Sequence, residues 1–309
     1  MRFLALLIWI PAVLAAQDAR EIVRRSIGVE WAGVEAARAY TYLERQEERE
    51  LDGSGKLKHR EVHTYDVTLL EGSPYRRLMA LNDQPLTAKE QQKEEEKLRQ
   101  SNAARSQESE AQKQQRIADW RRKQEKQREP VREIPDAFDL RMLPDESLDG
   151  RAMWVIDATP KAGYKPKLKS AFFFPKVKMR FWIDRKDYQA VKAEIETIDT
   201  IAWGGIVARL AKGDRLTFEM ARVNGEVWLP KAIRITGSAR ILLVKGYRGD
   251  IEISYSNYKK FSAESRVVSV GQLVFSKVAF GRIGGADPLV CAGRPRPAAG
   301  KTVSASCKA

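Results

Sequence analysis

From residue 177 onward the chain alternates. Val177, Met179, Phe181 and Ile183 stand between Lys178, Arg180, Trp182 and Asp184. A period of two places one set on each face of a strand. Residues 189–199 repeat it, with Val191, Ala193 and Ile195 against Lys192, Glu194 and Glu196, acids that can sit across from Lys178 and Arg180. Strands are expected over 178–184, 189–199, 201–210, 215–223, 227–237, 240–245 and 250–258. The turns between them are short. One of them, Asn224-Gly225, suits a tight hairpin because both central residues need positive φ. Short links between successive strands predict an antiparallel meander. Upstream, 40–52 and 56–70 flank Asp52-Gly53-Ser54-Gly55 as a further hairpin, and strands are also expected over 75–81, 139–143 and 151–159. The period changes to 3.6 only near the start. There Ala19, Ile22, Val23, Ile27, Trp31 and Val34 form one stripe of a helix over 18–38.

The segment 87–129 follows neither period. Thr87-Ala88-Lys89-Glu90 is a capping box, and neither Pro nor Gly follows until Pro130. About 40 residues would make a rod of about 60 Å. Its large apolar residues are few, Leu98, Ile117 and Trp120, so it cannot bury a face along its length. It is expected to project, or to cross the body with one end pinned by Ile117 and Trp120. Two readings stand: a partner-binding arm, or a solvated insertion that folding does not need.

Charge and compartment change the picture next. The formal net charge is +14 and charged residues make up 31 %, which raises nucleic acid and membrane as partners. Arg2, an apolar run over 3–14 and the small Ala15 and Ala16 read as a secretory signal peptide, residues 1–16. The run is shorter than the roughly 20 residues that span a bilayer. A cleaved signal places the mature chain in the periplasm, as one domain over 17–265 interrupted by 87–129. A C-terminal extension over 266–309 ends in a flexible tail rich in Gly, Pro and Ala. Export makes nucleic acid a poor partner, and most aromatics alternate onto the face opposite the basic residues. It also surrounds Cys291 and Cys307, the chain's two cysteines, with an oxidising medium. They are either bonded or two idle thiols.

Activated chemistry is scarce. There are two histidines, His59 and His63, with no G-x-S-x-G elbow and no G-x-G-x-x-G loop. No metal, cofactor or enzymatic activity is expected. The stretch "KPKLKSAFFFPKVKMRFWID" adds Lys165, Lys167 and Lys169 leading into Phe172, Phe173 and Phe174. Either these form a mobile loop that meets an anionic membrane, or the phenylalanines plug the interior while the lysines stay wet.

The phrases "YTYLERQEERELDGSGKLKHREVHTYDV", "RFWIDRKDYQAVKAEIE", "RLTFEMARVNGEVWLPKAIRI" and "SYSNYKKF", following a signal and an amphipathic helix, carry a likeness. The chain resembles the outer-membrane lipoprotein-sorting proteins, the LolA/LolB-like superfamily of periplasmic carriers, with the long charged segment as an addition. The resemblance implies an α+β fold: a strongly curved antiparallel sheet, a half-open barrel, with helices closing its concave side. It also implies an apolar hollow that takes acyl chains and hands them on without catalysis. The face expected to line it carries Met179, Phe181, Ile183, Val191, Ile195, Leu216, Phe218, Met220, Ile233, Ile235, Ile253 and Tyr255. Whether that interior is open, or filled by the N-terminal helix, stays undecided at this level. The expected function is non-enzymatic periplasmic binding of a lipidic ligand, lipoprotein acyl chains or lipid, for envelope transport or sensing. The alternative is an envelope docking protein whose charged helix and basic loop hold a partner protein or an anionic membrane surface.

Overall fold

The computed structural model describes residues 10–203, 208–241 and 245–260. Cys291, Cys307 and the boundary at 265/266 lie outside these. The elements run α1 (Ile10–Ala37), β1 (Tyr40–Leu51), β2 (Leu57–Leu70), β3 (Ser73–Leu81), β4 (Gln84–Pro85), α2 (Ala88–Ser106) and α3 (Glu110–Arg128). After a 3-10 turn, Glu129–Glu133, come α4 (Ile134–Ala137), β5 (Phe138–Leu148), β6 (Arg151–Pro160), β7 (Val177–Asp184) and β8 (Ala190–Thr197). The last are β9 (Ile201–Trp203), β10 (Ala208–Leu210), β11 (Arg215–Val223), β12 (Val227–Ile241) and β13 (Lys245–Lys260).

The described strands join one antiparallel sheet, eleven of them in the order β4-β3-β2-β1-β13-β12-β11-β8-β7-β6-β5. Its two ends, β4 and β5, do not pair with each other, so among the described residues the sheet is unclosed. Alternation placed most strands correctly, and the Asn224-Gly225 turn has both residues at positive φ, 52° and 69°. A simple meander fails at two places. β1 pairs with β13, Tyr40 opposite Lys260, which joins the first and last strands at the middle of the sheet. β11 pairs with β8, while β9 and β10 pair with each other and β10 lies on the far end of β12. The cause is length. Residues 227–236 of β12 serve β11, and residues 239–241 are left over for β10.

Register aligns the apolar positions into rows. Met179, Ile195, Leu216, Ile235 and Ile251 are successive partners from β7 to β13, and so are Phe181, Ala193, Phe218, Ile233 and Ile253. Helix α1 lies on this face. Its Ala19, Ile22 and Val23 enter one core cluster with Phe138, Ile156, Met179, Phe181 and Ile183.

Val191 departs from its expected face. The β7–β8 register shifts between Trp182 and Ile183, and this bulge turns Val191 outward. There it packs with Met153, Val155 and Trp182, behind Trp228. The outer face is therefore not uniformly wet. Trp182, expected among the wet residues, is 5 % exposed, with its indole N–H donated to Glu146 at 2.8 Å. The basic residues of β7 find acids, as expected for Lys178, which meets Glu196 at 3.0 Å. Arg180 takes Asp157 of β6, at 2.6 Å, as its closest acid.

The charged segment is neither one rod nor a projection. A second capping box, Ser109 with Gln112, starts α3 and breaks the helix. Helix α2 lies along β3. The buried Glu94 accepts the Leu78 N–H at 3.4 Å. Arg105 donates to the carbonyls of Leu70 at 2.8 Å, Ser73 at 3.1 Å and Pro74 at 3.3 Å. Helix α3 continues the attachment. Arg116 reaches the Glu71 carbonyl at 3.1 Å. Ile117 closes over Gly72, where φ is +78° and an added Cβ would stand 2.9 Å from the Ile117 side chain. The Arg38 guanidinium, just after α1, lies 5.2 Å over Trp120. The hairpin thus covers a sheet edge that would otherwise offer unpaired backbone groups. Expected result: Arg105→Ala lowers stability by about 1–3 kcal/mol, because three carbonyls lose their donor. A denaturation midpoint equal to that of the unaltered protein would show that the hairpin is not anchored there.

Candidate ligand-binding face

The helix-facing side of the sheet has two halves. Over β5 to β8 it is filled: Met179, Phe181, Ile183 and Ile195 pack beneath α1. Over β11 to β13, Leu216, Phe218 and Ile235 remain half-buried, while Ile233 and Ile253 are buried. Ten of the expected lining residues share this side. Val191 does not, and neither does Met220: the β11–β12 register shifts between Glu219 and Met220, which puts Met220 on the parity of Arg222 and Trp228, and these meet the outer cluster.

The apolar rows stop at β13. Beyond it, register puts Glu44 opposite Tyr255, Gln46 opposite Ile253 and Glu48 opposite Ile251, followed on β2 by Tyr65 and His63. This is a polar, aromatic half. Its centre is Glu44, 1 % exposed. One carboxylate oxygen accepts from the Arg76 guanidinium and, at 2.7 Å, from the Gln46 amide. The other oxygen, Oε2, is buried without a hydrogen-bond partner, and so is Arg76 Nε. The Arg76 guanidinium stacks 3.8 Å over Tyr65. Tyr42 packs against Tyr255 and Tyr258, with ring centres 5.6 and 5.3 Å away. Burial pushes the Glu44 carboxyl above the usual carboxylate range, with Arg76 and Gln46 pulling it back. Burial likewise raises the Tyr255 hydroxyl. A buried ion pair costs desolvation free energy that its mutual attraction need not recover, so burial of apolar surface does not by itself account for this group.

No sequence reasoning singled out Glu44. Its signal is visible in retrospect. In β1 the residues Tyr42, Glu44 and Gln46 occupy the parity that carries Ile253 and Tyr255 on the neighbouring strand, and only the β1–β13 pairing reveals that. His63 stacks on Tyr65 and lies 3.3 Å from Glu61.

The basic loop is held rather than loose. The buried Glu133 accepts from the Tyr164 hydroxyl at 2.7 Å and from the main-chain N–H groups of Lys167 at 3.0 Å and Leu168 at 2.5 Å. Phe174 is 2 % exposed and packs edge-on to Phe138 at 5.2 Å. Phe173 is half-buried against the same cluster, and Phe172 is exposed. Lys165, Lys167 and Lys169 are exposed. The three phenylalanines do not act as one tip.

A second buried charge cluster ties the outer face together. Asp184 takes both guanidinium arms of Arg151, at 2.5 and 2.8 Å. It also accepts the N–H groups of Lys186 and Asp187. Asp187 in turn meets Arg151 at 2.9 Å, the Trp228 indole at 2.9 Å and Arg222 at 3.2 Å. Asp184 and Asp187 flank the turn between β7 and β8, a place where Asp ordinarily serves turn geometry alone. Their partners lie on β6, β11 and β12, far away in the chain.

The described strands thus form one unclosed antiparallel sheet with an N-terminal helix across one face. No family profile and no curated protein matches the sequence. Among solved structures the chain is similar to a domain described as an outer membrane lipoprotein-sorting protein from Vibrio parahaemolyticus, with 10 % identity over 79 % of this chain and 95 % of that one and a TM-score of 0.34. It is similar to a LolA superfamily protein from Nitrosomonas europaea, with 10 % identity over 79 % and 93 % and a TM-score of 0.31. The MucA/MucB complex of Pseudomonas aeruginosa also aligns, with 11 % identity over 80 % and 100 % and a TM-score of 0.23.

Proposed function

We propose that the protein is a non-enzymatic periplasmic carrier or sensor that binds a lipidic ligand on the helix-facing side of its sheet. The observation that carries this is the division of one sheet face. Half-buried Leu216, Phe218 and Ile235 share a face, across β13, with a buried Glu44–Arg76 pair whose Oε2 and Nε lack partners. Such a face suits an amphipathic molecule, with its acyl chain along the apolar rows and its polar end toward β1. Ligand sites are commonly apolar with a few placed polar groups. The N-terminal residues support export, and among the described residues no helix is long and apolar enough to cross a membrane. Lipoprotein acyl chains and free lipid share the required chemistry. The hairpin α2–α3 lies on the body, so its part in this reading is to cover the β3 edge.

Native mass spectrometry after gentle purification tests the proposal. The expected result is a co-purifying lipid that is absent from the Phe218→Asp variant. A charge there lies among apolar side chains and costs several kcal/mol unless it finds a partner. Thr217→Asp, one position along and on the opposite face, leaves the lipid in place. A ligand-free mass for the unaltered protein, or equal loss in both variants, would remove the basis for this reading.

A further inference from the structure

Many exposed cations of the sheet are matched by acids. On β1 and β2, Arg45, Arg49 and Arg60 share Glu47, and two of them also reach Asp83. On the outer strands, Arg234 takes Glu219 and Glu252. The surface at α4 joins basic groups from two parts of the chain. In α1, Arg20 and Arg24 lie close enough to Asp136, at α4, for their charges to act on it. Its carboxyl is held low first by the Lys167 ammonium, 3.2 Å away, and further by Arg24 and Arg20, with burial opposing weakly. Lys161 reaches the Asp136 carbonyl at 2.7 Å. Glu133, the neighbouring acid, is buried and taken up by Tyr164 and two main-chain N–H groups. Lys165 and Lys169 are exposed and have no ionic partner among the described residues. Among the described residues Arg24 has Glu21, at 4.0 Å, as its ionic partner. Phe172, in the same loop as the three lysines, is 37 % exposed.

We propose that Arg20, Arg24, Lys165, Lys167 and Lys169, together with the exposed Phe172 of the same basic loop, dock the protein on an anionic phospholipid surface. This goes beyond the ligand-binding reading and does not depend on it. The base of the platform is rigid. Two 3-10 turns, Lys169–Ala171 and Phe174–Lys176, flank Phe172, and both Ala171 and Phe174 are buried. A preorganised surface loses little conformational entropy on contact. Basic side chains near an anionic bilayer are attracted within about a Debye length, and an aromatic ring suits the boundary between headgroups and acyl chains. The two neighbouring phenylalanines provide the anchor that holds the third outward.

Co-sedimentation of the purified protein with vesicles tests this. Vesicles of phosphatidylglycerol mixed with phosphatidylcholine are compared with phosphatidylcholine alone, at low and high salt. Expected are binding to the anionic vesicles at low salt, release at high salt and none to phosphatidylcholine alone. Each of Lys165→Gln, Lys167→Gln and Lys169→Gln weakens binding about fivefold. Phe172→Ser weakens it further with the melting temperature unchanged. Lys89→Gln, Lys93→Gln and Lys126→Gln together, on exposed faces of α2 and α3, control for net charge and leave binding intact. Three outcomes would overturn the proposal: equal binding to both vesicle types, equal loss in the control triple variant, or no binding at low salt. The last would assign the surface to an acidic protein partner instead.

Discussion

Phe174→Ala is expected to lower the unfolding free energy by about 3–5 kcal/mol, the range for removing a buried aromatic side chain. Phe172→Ala, two residues earlier, is expected to change it by less than about 0.5 kcal/mol. The contrast follows from burial. The Phe174 ring lies within the cluster that joins α1, α4, β5, β6 and β7, against Phe138 and beside Phe173 at 5.1 Å. Truncating it leaves a hole lined by side chains from several elements, and these cannot all move in to fill it. Phe172 is exposed and touches Phe173 edge-on at 5.8 Å. Urea denaturation of both variants measures the difference. Equal losses would mean that the run is one packed plug, and equal neutrality would mean that it is one surface tip.

Asp184→Ala is expected to cost about 3 kcal/mol, the lower end for breaking a buried charged pair, because Arg151 is one-quarter exposed and water can partly solvate it. Burial would raise the Asp184 carboxyl. The two-armed Arg151 contact and the N–H groups of Asp187 and Lys186 more than offset that and hold it below its ordinary value. The sign follows. A carboxylate depressed in the folded state contributes stability above its unfolded pKa of about 3.9. That contribution fades as pH falls from there through the folded value. The gap between the unaltered protein and Asp184→Ala should therefore be full at pH 7 and narrow steadily below about pH 4. A gap that stays constant down to pH 2.5 would show that Asp184 acts by shape rather than charge. Arg151→Lys should recover only part of the loss, since a lysine cannot supply the planar two-armed contact.

Much of the fold was legible because alternation reports burial directly. Residues 177–181, 215–219 and 232–236 each show which side faces the helix before any partner is known. The Thr87 capping box and the Asn224-Gly225 turn were also visible, because both are local chemistry that needs no distant group. The second box, Ser109 with Gln112, has the same form and lies in plain view as Ser109-Glu110-Ala111-Gln112. Its signal is the weaker one because the segment lacks Pro and Gly, the stronger punctuation.

The attachment of α2 and α3 was not legible. Apolar spacing predicts apolar docking, and here Glu94, Arg105 and Arg116 bond to the backbone of β3 and the turn before it. Polar side chains bonded to main chain leave no periodic trace. The face of Val191 was misread for a related reason. One bulge shifts parity by one residue, and nothing in the residues 189–191 marks where the bulge falls.

The sequence by itself determined a chain of amphipathic antiparallel strands, a leading amphipathic helix, a capped charged insertion and the poverty of catalytic groups. These follow from periodicity, capping chemistry and composition, which act over a few residues. Only the tertiary structure decided that the first strand pairs with the last. That pairing carries the apolar rows of β7 to β13 up to Glu44, Gln46 and Tyr42 of β1 and makes one face of two chemistries. It likewise decided that Asp184 and Asp187 are a charge cluster and not merely a turn, and that Phe174 is core while Phe172 is surface. Each of these depends on groups brought together from distant parts of the chain. Pairing between them is chosen by the burial and hydrogen bonding of the whole sheet, and no local window contains that information.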